Sequence, residues 1–107
     1  ARLLAEMFGC VVVLKGAGTV IAAPDTIPRV IAAGNPGMAV GGMGDLLTGC
    51  IAALRAQGLA AFEAACCGAL LHAVAGDDAA RDAGERGLLP GDLPVPMRHR
   101  VNDRPAS

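Results

Sequence analysis

From Ala64 to Gly76 every residue except His72 is apolar, so a helix through this stretch has no face to turn toward water. A helix of that kind is buried on all sides. The run Cys10 to Leu14 makes the same demand in another geometry, being continuously apolar between Gly9 and Lys15-Gly16. Apolar on both faces, it predicts a buried central strand of a parallel sheet. Two such elements require many neighbours, and the 107 residues offer one small domain at most. The side chains available are small, with 15 Gly, Phe 2 and neither Trp nor Tyr. Small side chains bury little area each, so their core needs many closely packed elements. The chain is expected to be a portion of a larger α/β domain.

Composition narrows the function. At 53% hydrophobic and 18% charged residues the chain is too apolar for intrinsic disorder. A net charge of −1 argues against a nucleic-acid partner, and 2% aromatic residues leave nothing on which bases could stack. The Ala64 to Gly76 stretch falls short of the roughly 20 residues that span a bilayer. Arg2 and Glu6 interrupt the one early apolar run, so no signal peptide is expected. Cys10, Cys50, Cys66 and Cys67 show neither a CxxC pair nor a metal-ligand spacing. They predict a reducing, cytoplasmic setting without disulfides or a metal site.

Along the chain, Arg2 to Phe8 reads as a helix stopped by Gly9. Thr19 to Ala23 and Arg29 to Ala33 are short strands around the turn Pro24-Asp25-Thr26-Ile27-Pro28. A glycine-dense loop, Gly34 to Gly44, follows. Asp45 to Gln57 predicts a helix with Leu46, Leu47, Cys50, Ile51 and Leu54 on one face and Gly58 as its stop. A second helix is expected from about Phe62 to Ala83. Beyond it, Pro94, Pro96 and Pro105 with Arg98, Arg100 and Arg104 read as a solvated tail. This divides the chain into residues 1–93 and a disordered Pro/Arg-rich tail, 94–107.

The chemistry concentrates in two segments. In Asn35-Pro36-Gly37-Met38-Ala39-Val40-Gly41-Gly42-Met43-Gly44-Asp45, glycines let the backbone turn its N–H groups toward a ligand. The helix that follows adds about half a positive charge at its start. Together they form an anion cradle suited to a nucleotide phosphate. It is not a Walker A loop, since no Gly-Lys-Ser/Thr follows. Asp45, a carboxylate beside that cradle, can accept the proton of a hydroxyl attacking phosphorus. The plain alternative is a loop with Asp45 as a helix-start residue.

The second segment, Lys15-Gly16-Ala17-Gly18-Thr19, ends the first strand, where open α/β sheets bind ligands. A solvated lysine before a turn is the alternative. Its Gly-x-Gly is no dinucleotide fingerprint, because a strand and not a helix follows. His72 reads as a satisfied core histidine. Asp77, Asp78, Asp82, Glu85 and Asp92 read as surface.

In this order the two segments resemble the C-terminal half of the NAD(P)H-hydrate dehydratase family, through Lys15-Gly16-Ala17-Gly18-Thr19, Asn35-Pro36-Gly37-Met38-Ala39 and Gly41-Gly42-x-Gly44-Asp45. The similarity extends from Arg2 to about Leu93, through Ala56-Gln57-Gly58-Leu59, Glu63-Ala64-Ala65 and Gly87-Leu88-Leu89. Gly-x-Gly-Asp alone is shared with sugar and vitamin kinases; the Asn-Pro-Gly-Met element makes the resemblance specific.

The resemblance implies a ribokinase-like three-layer fold, of which this chain holds the C-terminal portion: the last central strand, a small hairpin, the glycine loop and two helices. It implies dehydration of hydrated NADH or NADPH, driven by ADP or ATP with Mg2+. The hydrate hydroxyl would be phosphorylated and eliminated, restoring the reduced cofactor. Carried over by position, Lys15, Gly16, Ala17, Gly18, Thr19, Gly41, Gly42 and Gly44 would contact the nucleotide. Asp45 and Asn35 would contact the hydrate, with Asp45 as base. Met43 and Val40 stand where the family usually has Thr, each removing a hydroxyl near the phosphates.

The family domain is more than twice this long, so the chain is expected to need an N-terminal half and, without it, to be inactive and to associate or precipitate. A ribokinase-like sugar or vitamin kinase would use the same Gly44 and Asp45 and release a stable phosphorylated product. A truncated, non-catalytic nucleotide-binding piece is the remaining alternative.

Overall fold

The computed structural model describes residues 5–7, 9–15 and 19–102. Its strands are β1 (Val12–Leu14), β2 (Thr19–Ala22) and β3 (Arg29–Ile31). A 3-10 turn at Pro36–Met38 leads to helix α1 (Met43–Ala56), helix α2 (Ala61–Ala83), a second 3-10 turn at Pro90–Asp92, and helix α3 (Pro94–Asn102). Of the helix expected over Arg2 to Phe8, Ala5 to Met7 are helical and the rest lies outside the described residues.

The strands form one antiparallel sheet in the order β1-β2-β3, with Val13 opposite Ile21 and Val20 opposite Val30. Between β2 and β3 the Thr26 N–H donates to the Ala23 carbonyl at 3.3 Å. Asp25 sits at φ 54, a left-handed conformation that a short polar side chain tolerates.

A buried central strand of a parallel sheet is expected over Cys10 to Leu14, and the described residues supply one of its neighbours. Its described partner is β2, antiparallel; Val11 to Val13 are half-buried and Leu14 is 42% exposed. Antiparallel neighbours need only a tight turn, whereas a parallel partner needs a crossover of a dozen or more residues. Among the described residues, none supplies that partner.

Two apolar clusters hold the helices in place. Ile21 and Ile31 of the sheet pack with Leu47 of α1 and with Ala65, Cys66, Ala69 and Ala73 of α2. On the far side Met43, Ala75, Ala79, Leu88 and Leu93 form the second cluster. Helix α2 packs against the sheet, α1 and α3, and the all-round burial expected of Ala64 to Gly76 fails at Cys67 and at Leu70, which is 49% exposed. The small residues have a geometric purpose. A Cβ on Gly68 would lie 2.6 Å from Ile51 Cγ1, so only glycine lets α1 approach α2 this closely.

Helix α3 corrects the expectation of a solvated tail from Pro94. Pro94, Val95 and Pro96 form its opening turn, where N–H groups have no intrahelical acceptor, and Met97 N–H makes a bond to Leu93 O at 2.9 Å. A missing proline N–H costs nothing there. Arg100 then grips Asp78 of α2 through two bonds of 2.8 Å, from Nε and Nη2, and Arg81 adds a third at 3.2 Å. The residues expected to be the far end of the tail, 103–107, lie outside the described residues.

Candidate functional site

The glycine-rich segment is anchored by a residue that sequence reading had assigned to the surface. Asp77 of α2 is half-buried, and both its carboxylate oxygens accept bonds from the loop. Oδ2 accepts from the Gly34 N–H at 2.9 Å and Oδ1 from Asn35 Nδ2 at 2.9 Å. Asn35 in turn caps the Pro36–Met38 turn, its Oδ1 accepting from the Gly37 N–H at 3.0 Å. The loop is thus fixed to α2 before it reaches α1.

Helix α1 starts one residue past Gly42, whose φ of 91 is open to glycine and strained for other residues. No side chain caps this start. The fourteen-residue helix therefore presents the positive end of its dipole at Met43, Gly44 and Asp45. Asp45 lies exposed in the first turn, where a carboxylate complements that dipole.

A cleft of about 820 Å³ opens between the sheet, the loop and the two long helices. Lys15 and Thr19 from the strand ends, Asn35 from the loop, Gly44 from α1 and His72 from α2 line it. Four of the predicted site residues, Lys15, Thr19, Asn35 and Gly44, thus share one cavity. Gly41, Gly42 and Asp45 are exposed and adjoin Gly44 along the chain, outside the lining itself. Gly16, Ala17 and Gly18 lie outside the described residues. A smaller hollow of about 440 Å³, lined by Asp78, Asp82, Arg86, Asp92 and His99 among others, holds none of the predicted site residues.

Val40 and Met43 both line the cleft, but they sit differently. Val40 is 39% exposed, while Met43 is 1% exposed and packs into the second apolar cluster.

His72 is buried, with 3% exposure, yet its Nε2 has no hydrogen-bond partner. Burial pushes the imidazole below its ordinary range, and the Lys15 charge acts in the same direction; a hydrogen bond at the Met43 backbone opposes both. The expectation of a satisfied core histidine is corrected on this point. Neither His72 nor Asp77 was assigned a role from sequence. Asp77 did leave a signal: it directly follows the apolar run, and an acid flanked by Ala75, Gly76 and Ala79 has to find donors. Among the described residues no cluster of His, Cys, Asp and Glu is built to hold a metal ion, and no helix is long and apolar enough to cross a membrane.

Comparison with known proteins places this arrangement in a family. The family profile described as NAD(P)H-hydrate dehydratase matches residues 1–95. The bifunctional NAD(P)H-hydrate repair enzyme Nnr of Escherichia coli is 48% identical over 102 residues, covering 95% of this chain and 20% of that protein. The ADP-dependent (S)-NAD(P)H-hydrate dehydratase of Neisseria meningitidis is 48% identical over 93 residues, 86% of this chain and 31% of its own length.

Among solved structures, the Bacillus subtilis ADP/ATP-dependent NAD(P)H-hydrate dehydratase co-crystallised with ATP/Mg2+ superposes with a TM-score of 0.84 at 31% identity. That match covers 92% of this chain and 36% of the other. A ribokinase-like superfamily protein of Enterococcus faecalis gives 0.77 at 35% identity, over 91% of this chain and 34% of its own. The 107 residues span between a fifth and about a third of these relatives. The architecture is thus part of a ribokinase-like α/β fold, and the chain belongs to the NAD(P)H-hydrate dehydratase family.

Proposed function

We propose that this chain forms the nucleotide-binding, C-terminal half of an enzyme that dehydrates hydrated NADH or NADPH at the expense of ADP or ATP. One observation carries the reading: Lys15, Thr19, Asn35 and Gly44, distant in sequence, line one cleft at the positive end of α1. A cation, a hydroxyl and a helix N-terminus converging on one space suit a polyphosphate. In this reading Lys15 to Thr19, Gly41, Gly42 and Gly44 hold the nucleotide. Asn35 and Asp45 face the hydrate. The enzyme works in the cytoplasm.

In this reading Asp45 carries the chemistry. The hydrate hydroxyl attacks the terminal phosphorus of the nucleotide, its proton passes to the Asp45 carboxylate, and the shortened nucleotide leaves. The phosphate ester is then eliminated: its C–O bond breaks, the adjacent ring carbon gives up a proton, and the ring double bond returns. Backbone N–H groups at the start of α1 offset the charge that grows on the transferring phosphoryl group. Mg2+ would arrive bound to the nucleotide phosphates and supply further charge neutralisation there. Among the described residues no group of three or more His, Cys, Asp or Glu stands ready to hold it.

A structure of the full-length protein with ADP or ATP tests the reading. The phosphates are expected over Gly41 to Asp45, with the remainder of the nucleotide near Lys15 to Thr19. Nucleotide bound elsewhere, with these loops free of it, would overturn the assignment.

A further inference from the structure

We infer that His72 is a substrate-contacting residue of the cleft, where its Nε2 hydrogen-bonds an uncharged hydroxyl or carboxamide group of the hydrated nicotinamide. The inference rests on the proposed reading of the cleft. Its own ground is separate. His72 is 3% exposed, lines the cavity and leaves Nε2 without a partner, although buried polar side-chain atoms in folded proteins are almost always paired.

The surroundings say what kind of group fits. His72 projects from a stretch of α2 that is otherwise apolar from Ala64 to Gly76, with Ala69 and Ala73 beside it in the cleft wall. Burial and the Lys15 charge hold the ring neutral, so it carries one donor and one acceptor and no charge to offer a phosphate. Anionic groups are served instead by Lys15 and the start of α1. A neutral imidazole in an apolar wall selects a neutral, hydrogen-bonding partner. The hydrate's hydroxyl and carboxamide have that character.

Steady-state kinetics of the full-length protein test this, with wild type beside His72→Phe and His72→Gln and with hydrated NADH and ADP varied in turn. The Phe variant is expected to raise KM for the hydrate about tenfold, the scale of one lost hydrogen bond, and to leave KM for ADP within about twofold. The Gln variant, which restores a neutral donor and acceptor, should recover most of that loss. An unchanged hydrate KM in the Phe variant, or an equal rise in both KM values, would overturn the inference while leaving the dehydratase reading intact. A wild-type protein that ignores the hydrate would overturn both.

Should the Phe variant fail to fold, nitrogen NMR of histidine-labelled wild type decides instead. Saturating hydrated NADH, with no nucleotide present, is expected to move the His72 Nε2 resonance. An Nε2 signal that stays in place overturns the contact.

Discussion

The Asp77 carboxylate and the Asn35 carboxamide meet at 2.9 Å across 42 positions of sequence, tying helix α2 to the loop that precedes α1. The second oxygen of Asp77 takes the Gly34 N–H, so one half-buried side chain fixes two consecutive residues of that loop.

Asp77→Asn should be nearly as damaging as Asp77→Ala. The amide keeps one acceptor but turns its NH2 toward a second donor. Either change leaves polar groups unpaired, at a cost of about 1–3 kcal/mol. Urea unfolding of the two variants measures it. Amide exchange at Gly34 and Gly37 should quicken in both, and unaltered exchange would show that the loop holds itself.

The bond between Arg100 and Asp78 predicts an acid-labile α3. The Arg100 hydrogen bonds, then its charge and that of Arg81, hold the Asp78 carboxyl below its ordinary range, with partial burial opposing. A carboxyl whose folded-state pKa is depressed adds stability at pH above its unfolded value, near 3.9, and loses it as pH falls through the lower folded value. The pair is partly exposed, so the contribution is about 1 kcal/mol or less. Exchange protection of α3 should fall below about pH 4 in the wild type. In Asp78→Asn it should already be low at neutral pH and flat across that range.

Gly68→Ala should destabilise the helix pair by about 1–3 kcal/mol, because the added methyl meets Ile51 Cγ1 at 2.6 Å and Ile51 Cα at 3.3 Å. Thermal unfolding reads the effect. Gly49, with open space around its Cβ position, is the control: alanine there should be neutral or stabilising, since it favours the helix.

Asp45→Asn in the full-length protein should lower turnover by about 10²-fold or more, the scale of a lost general base, and leave nucleotide affinity nearly unchanged. Turnover near the wild-type rate would reduce Asp45 to a helix-start residue.

Helices α1 and α2 and the turn between β2 and β3 were legible because local signals agreed. Gly58 follows the end of α1, and α2 spans Ala61–Ala83 against an expected Phe62 to Ala83. The partners of β1 were not legible, since an apolar strand does not state on which edge, or in which direction, it is paired. Helix α3 was missed because Pro94 and Pro96 forbid a helix interior but suit its opening turn. Asp77 and Asp78 were misassigned for a related reason. Charge marks a side chain as polar, and only the fold brings Asn35 and Arg100 to meet it.

The central claim is that this cleft belongs to a nucleotide-driven dehydratase completed by further chain. The most direct measurement follows the return of reduced-nicotinamide absorbance when hydrated NADH and ADP or ATP are given to the 107-residue chain and, in parallel, to the full-length protein. Light scattering is run on the same samples. The exposed apolar residues Leu14, Ile27 and Val30 on and beside the sheet predict that the chain alone associates and leaves the hydrate unchanged. The full-length protein should restore NADH only when nucleotide is present. Nucleotide-independent restoration, a stable phosphorylated product in its place, or full activity from a monomer of the 107 residues would contradict the account.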